Sequence, residues 1–100
     1  MGPITVSHVM VAVSRRFNVT PDLLRGPRRS RPVAQARQLA YLLSAELCPH
    51  LTISVIARMF GHRDHTTILY GVKKAQQLMR KQKRMKADFS AIKTELEGRA

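Results

Sequence analysis

Apolar positions recur at helical spacing along nearly the whole chain. Ile4, Val6, Val9, Met10, Val13 and Phe17 trace one stripe close to the i, i+3, i+4, i+7 rhythm of an amphipathic helix. Arg15 and Arg16 close that helix, where cations suit the negative end of its dipole. Asn18-Val19-Thr20-Pro21 reads as a stop followed by a start, with Thr20 as cap and Pro21 in the first turn. The short piece from Pro21 to Leu24 ends at Arg25-Gly26-Pro27. A basic loop follows, Arg28-Arg29-Ser30-Arg31-Pro32, in which Ser30 is the expected N-cap of the next helix. Val33, Ala36, Leu39, Ala40, Leu43 and Leu47 form a long apolar stripe, so that helix should run to about Leu47. Cys48-Pro49-His50 breaks it.

The second half repeats the pattern in shorter units. Thr52 is placed to cap a helix carrying Ile53, Ile56, Ala57 and Phe60, and Gly61 stands where a left-handed residue commonly ends a helix. Asp64 is expected to cap a further helix with Ile68, Val72, Ala75 and Met79 on one face. The opposite face carries His65, Thr66, Tyr70, Lys73 and Lys74. Asp88 is read as the start of a last short helix with Phe89, Ile92 and Leu96 turned inward and Gly98 after it. Nowhere do polar and apolar residues alternate over a strand's length, and nothing repeats at a fixed period. The expected fold is all-α: a small helical domain of five to six helices over residues 1–100, with an N-terminal helix within 1–17.

Length and charge narrow the function. A chain of 100 residues is one domain at most and has no room for a nucleotide-driven motor or a two-domain enzyme. Eighteen Lys and Arg against six Asp and Glu give a formal net charge of +12, which points to a polyanion: DNA, RNA or an anionic membrane surface. Two Tyr, three Phe and no Trp argue against a stacking platform for single strands. The apolar run Val9 to Val13 is far shorter than the roughly 20 residues of a membrane span. The single Cys48 excludes an internal disulfide and a Cys-based zinc cage. Beside His50 it lacks a third, orienting group for nucleophilic work. His8, His50, His62 and His65 lack the pairing with carboxylates that a metal site needs. No catalytic residue, metal or cofactor is expected.

A short helix from Thr52 to Phe60, a turn at Gly61-His62-Arg63 and a helix from Asp64 describe a helix-turn-helix, with a basic extension to residue 86. In that motif the first turn of the second helix meets base edges in the major groove. Asp64 can accept from a cytosine amino group, and Thr66 and Thr67 can offer methyls to thymine or hydroxyls to phosphate. His65 can make either contact. Capping alone also explains Asp64, and the two roles are compatible. Arg28, Arg29 and Arg31 have no acid nearby, which favours a phosphate or minor-groove role over a merely solvated loop. The run Arg80 to Lys86 is most simply a solvated basic face, with extra DNA contact second and a membrane-surface helix third.

The string Gly61-His62-Arg63-Asp64-His65-Thr66-Thr67-Ile68-Leu69-Tyr70 resembles the signature of the C-terminal DNA-binding domain of the DnaA family of bacterial replication initiators. Arg28 to Ala40 resembles that domain's basic loop and long helix, and Ala87-Asp88-Phe89-Ser90 fits its last helix. The resemblance implies a reader of a short asymmetric duplex site, the DnaA box. Asp64, His65 and Thr66 would read base edges, and Thr67 would hold phosphate at the helix N-terminus. Arg29 would enter the minor groove, and Arg37 and Gln38 would grip phosphates. Arg31, Ser54, Arg63, Lys73 and Lys74 complete the expected contact set. Family members often carry Lys where Ala45 stands and Pro where Ser54 stands. Either change retunes recognition, since one good base contact is worth roughly 1–3 kcal/mol.

The family's ATPase module has no counterpart here, for no Gly-x-x-x-x-Gly-Lys-Ser/Thr run occurs. With Met1 at its start, the chain reads either as a stand-alone regulator of initiation or transcription, nucleoid-associated in the cytoplasm and with a monomer favoured, or as the excised domain of a full initiator. Duplex DNA is the expected partner, with replication proteins or the initiator itself as further ones. Non-specific coating of the nucleoid and an interaction module for the initiator are the alternatives.

Overall fold

The computed structural model describes residues 3–61 and 63–99. Those residues form six helices and no strand: α1 (Val6–Phe17), α2 (Pro21–Arg25), α3 (Arg31–Leu47), α4 (Ile53–Met59), α5 (His65–Lys81) and α6 (Lys83–Arg99). The all-α fold expected from periodicity is the one observed.

Three threonines cap helices: Thr20 and Thr52 as expected, and Thr5, which the apolar stripe from Ile4 did not single out. Thr5 Oγ1 accepts from the His8 N–H at 3.1 Å while His8 Nδ1 accepts from the Thr5 N–H at 3.2 Å, a reciprocal box closed by a histidine. Thr20 and Thr52 accept from the N–H groups of Leu23 and Val55 at the starts of α2 and α4. Asn18 ends α1 in the left-handed region, with φ 55° and ψ 46°. Gly61 follows α4 with φ +86°, and a Cβ there would collide with the Arg25 carbonyl. The turn of the helix-turn-helix is thus pressed against the end of α2. His62, in the middle of that turn, lies outside the described residues.

Two expected caps are not made. Ser30 and Asp64 occupy the N-cap positions of α3 and α5, but neither side chain accepts a backbone N–H. The Asp64 carboxylate instead accepts the Thr66 hydroxyl at 3.0 Å.

The largest correction concerns α6. It begins at Lys83, not at Asp88, and spans 17 residues. Met85 is buried, so the inward stripe starts one turn before Phe89. Asp88 lies inside the helix, buried, and its Oδ1 accepts from Arg16 Nε at 2.7 Å. Gln82, extended at φ −125° and ψ 113°, separates α5 from α6. The basic run is therefore divided between two helix ends. Arg80 and Lys81 suit the C-terminus of α5. Lys83, Arg84 and Lys86 open α6 with no acid in its first turn. Cations there oppose the dipole by about 0.3–1 kcal/mol each.

α1, α5 and α6 all pack on α3. Leu39 and Leu43 of α3, Val9 and Val13 of α1, Ile68 of α5 and Ile92 and Leu96 of α6 meet in one buried cluster. Cys48 is fully buried at the end of α3 and its Sγ lies 3.2 Å from the Ile4 carbonyl, a structural thiol that burial pushes above its ordinary pKa. Arg15–Glu95 and Arg16–Asp88, both at 2.7 Å, tie α1 to α6.

One side chain fixes the seat of α5. Tyr41 of α3 is buried, with its ring edge-on to Phe60 at a centroid distance of 4.9 Å. Its other side lies against Gly71, where an added Cβ would overlap Cδ2. Only a glycine lets α5 come this close. Gly71→Ala is therefore expected to lose about 1–3 kcal/mol of stability through overpacking, against a helix-propensity gain of ~0.5–1 kcal/mol. Gly98→Ala, with nothing within 4 Å of the added carbon, should stay within about 0.5 kcal/mol of the parent. Urea unfolding followed by circular dichroism checks both; equal stability of the two variants would refute the close fit.

Candidate nucleic-acid interface

The α2 helix ends in free carbonyls, as every helix does. Arg37, on the second turn of α3, takes them. Its Nε donates to the Leu24 carbonyl at 2.9 Å, and its Nη2 donates to Leu23 at 2.7 Å and to Gly26 at 2.9 Å. Arg63, just before α5, donates its own Nη2 to the same Gly26 carbonyl. One oxygen thus uses both its lone pairs on two arginines, one from α3 and one from the helix-turn-helix. This joint fixes where the basic loop leaves α2 and where α5 starts.

Arg37 was expected to grip phosphate. It is buried at 8% exposure and its Nε and Nη2 are taken up by three carbonyls, so these donors position the loop. Burial, with the neighbouring Arg63 charge, pulls its pKa below the ordinary value. Arg63 is half-buried and shares this positioning role. Its Nε and the Tyr41 hydroxyl are buried without hydrogen-bond partners among the described residues. Burial pushes the Tyr41 phenol above its ordinary pKa, against the pull of Arg63 and Arg37.

Above this joint lies an open cleft of about 600 Å³. The loop contributes Pro27 and Arg29, α3 contributes Ala34 and Gln38, and the start of α5 contributes Asp64, Thr67 and Tyr70. Arg29, Asp64 and Thr67 are exposed and Gln38 is half-buried. So four expected contact residues, Arg29, Gln38, Asp64 and Thr67, share one cleft, with Arg37 and Arg63 beneath them. His65 and Thr66 are exposed on the same first turn of α5 but outside the cleft. Lys73 is exposed and Lys74 half-buried farther along α5, and Ser54 is exposed on α4. Arg31 stands apart: it lines a second cleft of about 420 Å³ with Arg16 and Arg84.

The expected set omitted Tyr70. It lines the cleft, is 64% exposed, and adjoins Leu69, which is 50% exposed. Its place on the polar face of the α5 pattern was the available signal. Arg58 is a further exposed cation, on α4.

Of the first five helices, α3 and α5 are the two whose N-cap side chains leave the backbone N–H groups free. Uncapped N–H groups and the positive dipole end favour an anion there. Among the described residues no group of three or more His, Cys, Asp or Glu could hold a metal ion. Among the described residues no helix is long and apolar enough to cross a membrane.

Comparison with known proteins adds a family. The model described as the bacterial DnaA protein helix-turn-helix matches residues 6–75. Relatives include the chromosomal replication initiator protein DnaA of Cereibacter sphaeroides, 33% identical over 90 residues, which cover 90% of this chain and 20% of that protein. The same protein of Rickettsia bellii is 37% identical over 76 residues, covering 76% of this chain and 16% of the relative. That of Mycoplasma capricolum is 28% identical over 96 residues, covering 96% and 21%. The chain spans about a fifth of the length of these relatives.

The arginine joint makes a testable claim. Arg37→Ala removes three hydrogen bonds from buried or half-buried carbonyls and is expected to cost about 2–4 kcal/mol in urea unfolding. Arg37→Lys should recover less than half of that, because an ammonium cannot reproduce the planar fork. A fully stable Arg37→Ala variant would return this residue to the contact set.

Proposed function

The chain belongs to the bacterial DnaA helix-turn-helix family, and from that premise we propose that it reads a short asymmetric duplex site of the DnaA-box kind. The first turn of α5 enters the major groove, whose width of about 12 Å admits a helix. Asp64, His65 and Thr66 meet base edges there, and Thr67 holds a phosphate against the free N–H groups of the α5 start. Leu69 and Tyr70 offer apolar surface to thymine methyls. Arg29 reaches from the loop into the minor groove. Gln38, Arg31, Ser54, Lys73 and Lys74 contact the phosphate backbone, while Arg37 and Arg63 hold the loop and α5 in register. The observation that carries the reading is the exposure of Arg29, Asp64 and Thr67 around one open cleft.

These 100 residues contain no phosphate-binding Gly-rich run, so they supply site recognition and no ATP-driven step. A protein that occupies boxes in this way regulates initiation or transcription by competing for sites or marking them. A second reading, charge-driven coating of DNA, rests on the net charge of +12.

Fluorescence anisotropy separates the two. One short duplex carries a DnaA-type box and another the same bases scrambled, each titrated at low and near-physiological salt. A gap of at least about tenfold, or ~1.4 kcal/mol, that persists at the higher salt is the expected result. His65→Ala should narrow the gap while the helical circular dichroism stays intact. Arg29→Ala should lose about 1–3 kcal/mol on the box and less on the scrambled duplex. Equal binding to both duplexes, collapsing with salt, would replace site reading by coating.

A further inference from the structure

At the far end of α5 a second groove opens between α3, α5 and α6, with a volume of about 770 Å³. Its floor is apolar: Leu42 and Phe89 are buried there and Met79 is half-buried. Its rim is basic, with Arg80 from the last turn of α5 and Lys83 and Lys86 from the start of α6. None of these three cations makes an ion pair among the described residues. The one acid on the rim, Glu46, lies 3.7 Å from Lys93 and is already matched. Lys83 and Lys86 also sit where the α6 dipole disfavours them. With eighteen cations against six acids some basic side chains must go unpaired; what distinguishes these three is that they converge on the rim of one groove.

We propose that this groove docks an acidic amphipathic segment of another protein. Leu or Phe side chains of that segment lie on Leu42, Met79 and Phe89, and its carboxylates meet Arg80, Lys83 and Lys86. The charge complementarity sets the sign of the partner, and the recessed apolar floor sets its amphipathicity. A phosphate backbone would use the rim and leave the floor idle. Met79, unbranched and polarizable, lets the floor adapt to different apolar side chains. The groove shares no residue with the cleft of Arg29, Asp64 and Thr67. Thr67 and Arg80 are separated along α5 by about 20 Å, at ~1.5 Å per residue. The segment and a duplex can therefore be held at once. The three rim cations also lie beyond residues 6–75, which the family model matches, and the proposal does not rest on the reading of the first cleft.

The test uses the full chain and a fluorescein-labelled synthetic peptide of about 15 residues, Leu or Phe at i, i+3, i+4 and i+7 and Glu elsewhere. Anisotropy is read at near-physiological salt. Saturable binding is expected, weakened at least tenfold by R80E/K83E/K86E and at least fivefold by Met79→Glu, with circular dichroism unchanged. If the triple reversal fails to fold, K83Q/K86Q serves in its place, with an expected loss of at least threefold. A saturating duplex should shift the peptide affinity by less than twofold. An all-Glu peptide that binds as tightly as the amphipathic one would reduce the groove to bare charge and overturn the proposal. Displacement of the peptide by duplex would do the same. So would an equal loss of duplex affinity in the reversal variant, which would assign the rim to the DNA footprint. No binding of the amphipathic peptide also overturns it.

Discussion

The geometry of the cleft between the basic loop and the start of α5 turns on one carbonyl oxygen. Gly26 O accepts from Arg37 on α3 and from Arg63 at the threshold of α5. Without that shared acceptor, Arg37 would still hold the end of α2 through the Leu23 and Leu24 carbonyls, but Arg63 would lose its hydrogen bond to the start of the loop. Packing is non-directional and tolerates small sliding, whereas a planar guanidinium with a fixed fork does not. A reader of base edges needs its helix held to a fraction of an ångström. Two of the most basic side chains near the cleft are therefore used inside the protein, and the exposed arginines of the loop are left for a ligand.

The close approach of α3 and α5 complements this joint. Tyr41 fills the space between them, and Gly71 removes the one carbon that would push them apart. Gly61 does the same between the helix-turn-helix and the Arg25 carbonyl. Both glycines serve contact between elements more than freedom within them, although Gly61 also needs its positive φ. The cation excess is sorted in the same way. Asp22, Glu46, Asp88 and Glu95 each hold a cation in an ion pair. The unmatched positive side chains collect on the loop, on α5 and at the α5–α6 junction.

Much of this was legible in the residue order, and the exceptions share a cause. Periodicity located the helices because each buries one face against α3. The Thr20 and Thr52 caps were legible because Thr before an apolar run has little else to do, whereas Thr5 was masked by Ile4, which extends the apolar stripe past it. Ser30 and Asp64 looked the same in sequence, yet an N-cap hydrogen bond depends on a rotamer that the pattern does not encode. Asp88 resembled a helix start, but Arg16, 72 positions away, claims it. The break at Gln82 had no Gly or Pro to announce it, so the basic run read as one face. Arg37 was misjudged because an arginine on a helix has the same spelling whether it faces solvent or three carbonyls. Local signals were readable; long-range partners were not.

Asp64 weighs on the choice between site reading and coating. Among the described residues it is the one acid lining the cleft, and it stands at the N-cap of α5, which the proposed reading turns toward the duplex. A carboxylate facing phosphates at about 4 Å is unfavourable by ~1 kcal/mol even in bulk water. A protein selected only to coat DNA would gain by losing it. A protein selected to recognise a base keeps it, because an exocyclic amino group, of cytosine or adenine, satisfies the carboxylate, whereas the acceptor edges of guanine and thymine leave it unpaired. The Thr66 hydroxyl, donating to Asp64 Oδ2, holds the carboxylate in one orientation and leaves Oδ1 for that contact. On the proposed reading, repulsion from the backbone and attraction to an amino-bearing base act together, and the penalty on a mismatched site is itself part of the specificity.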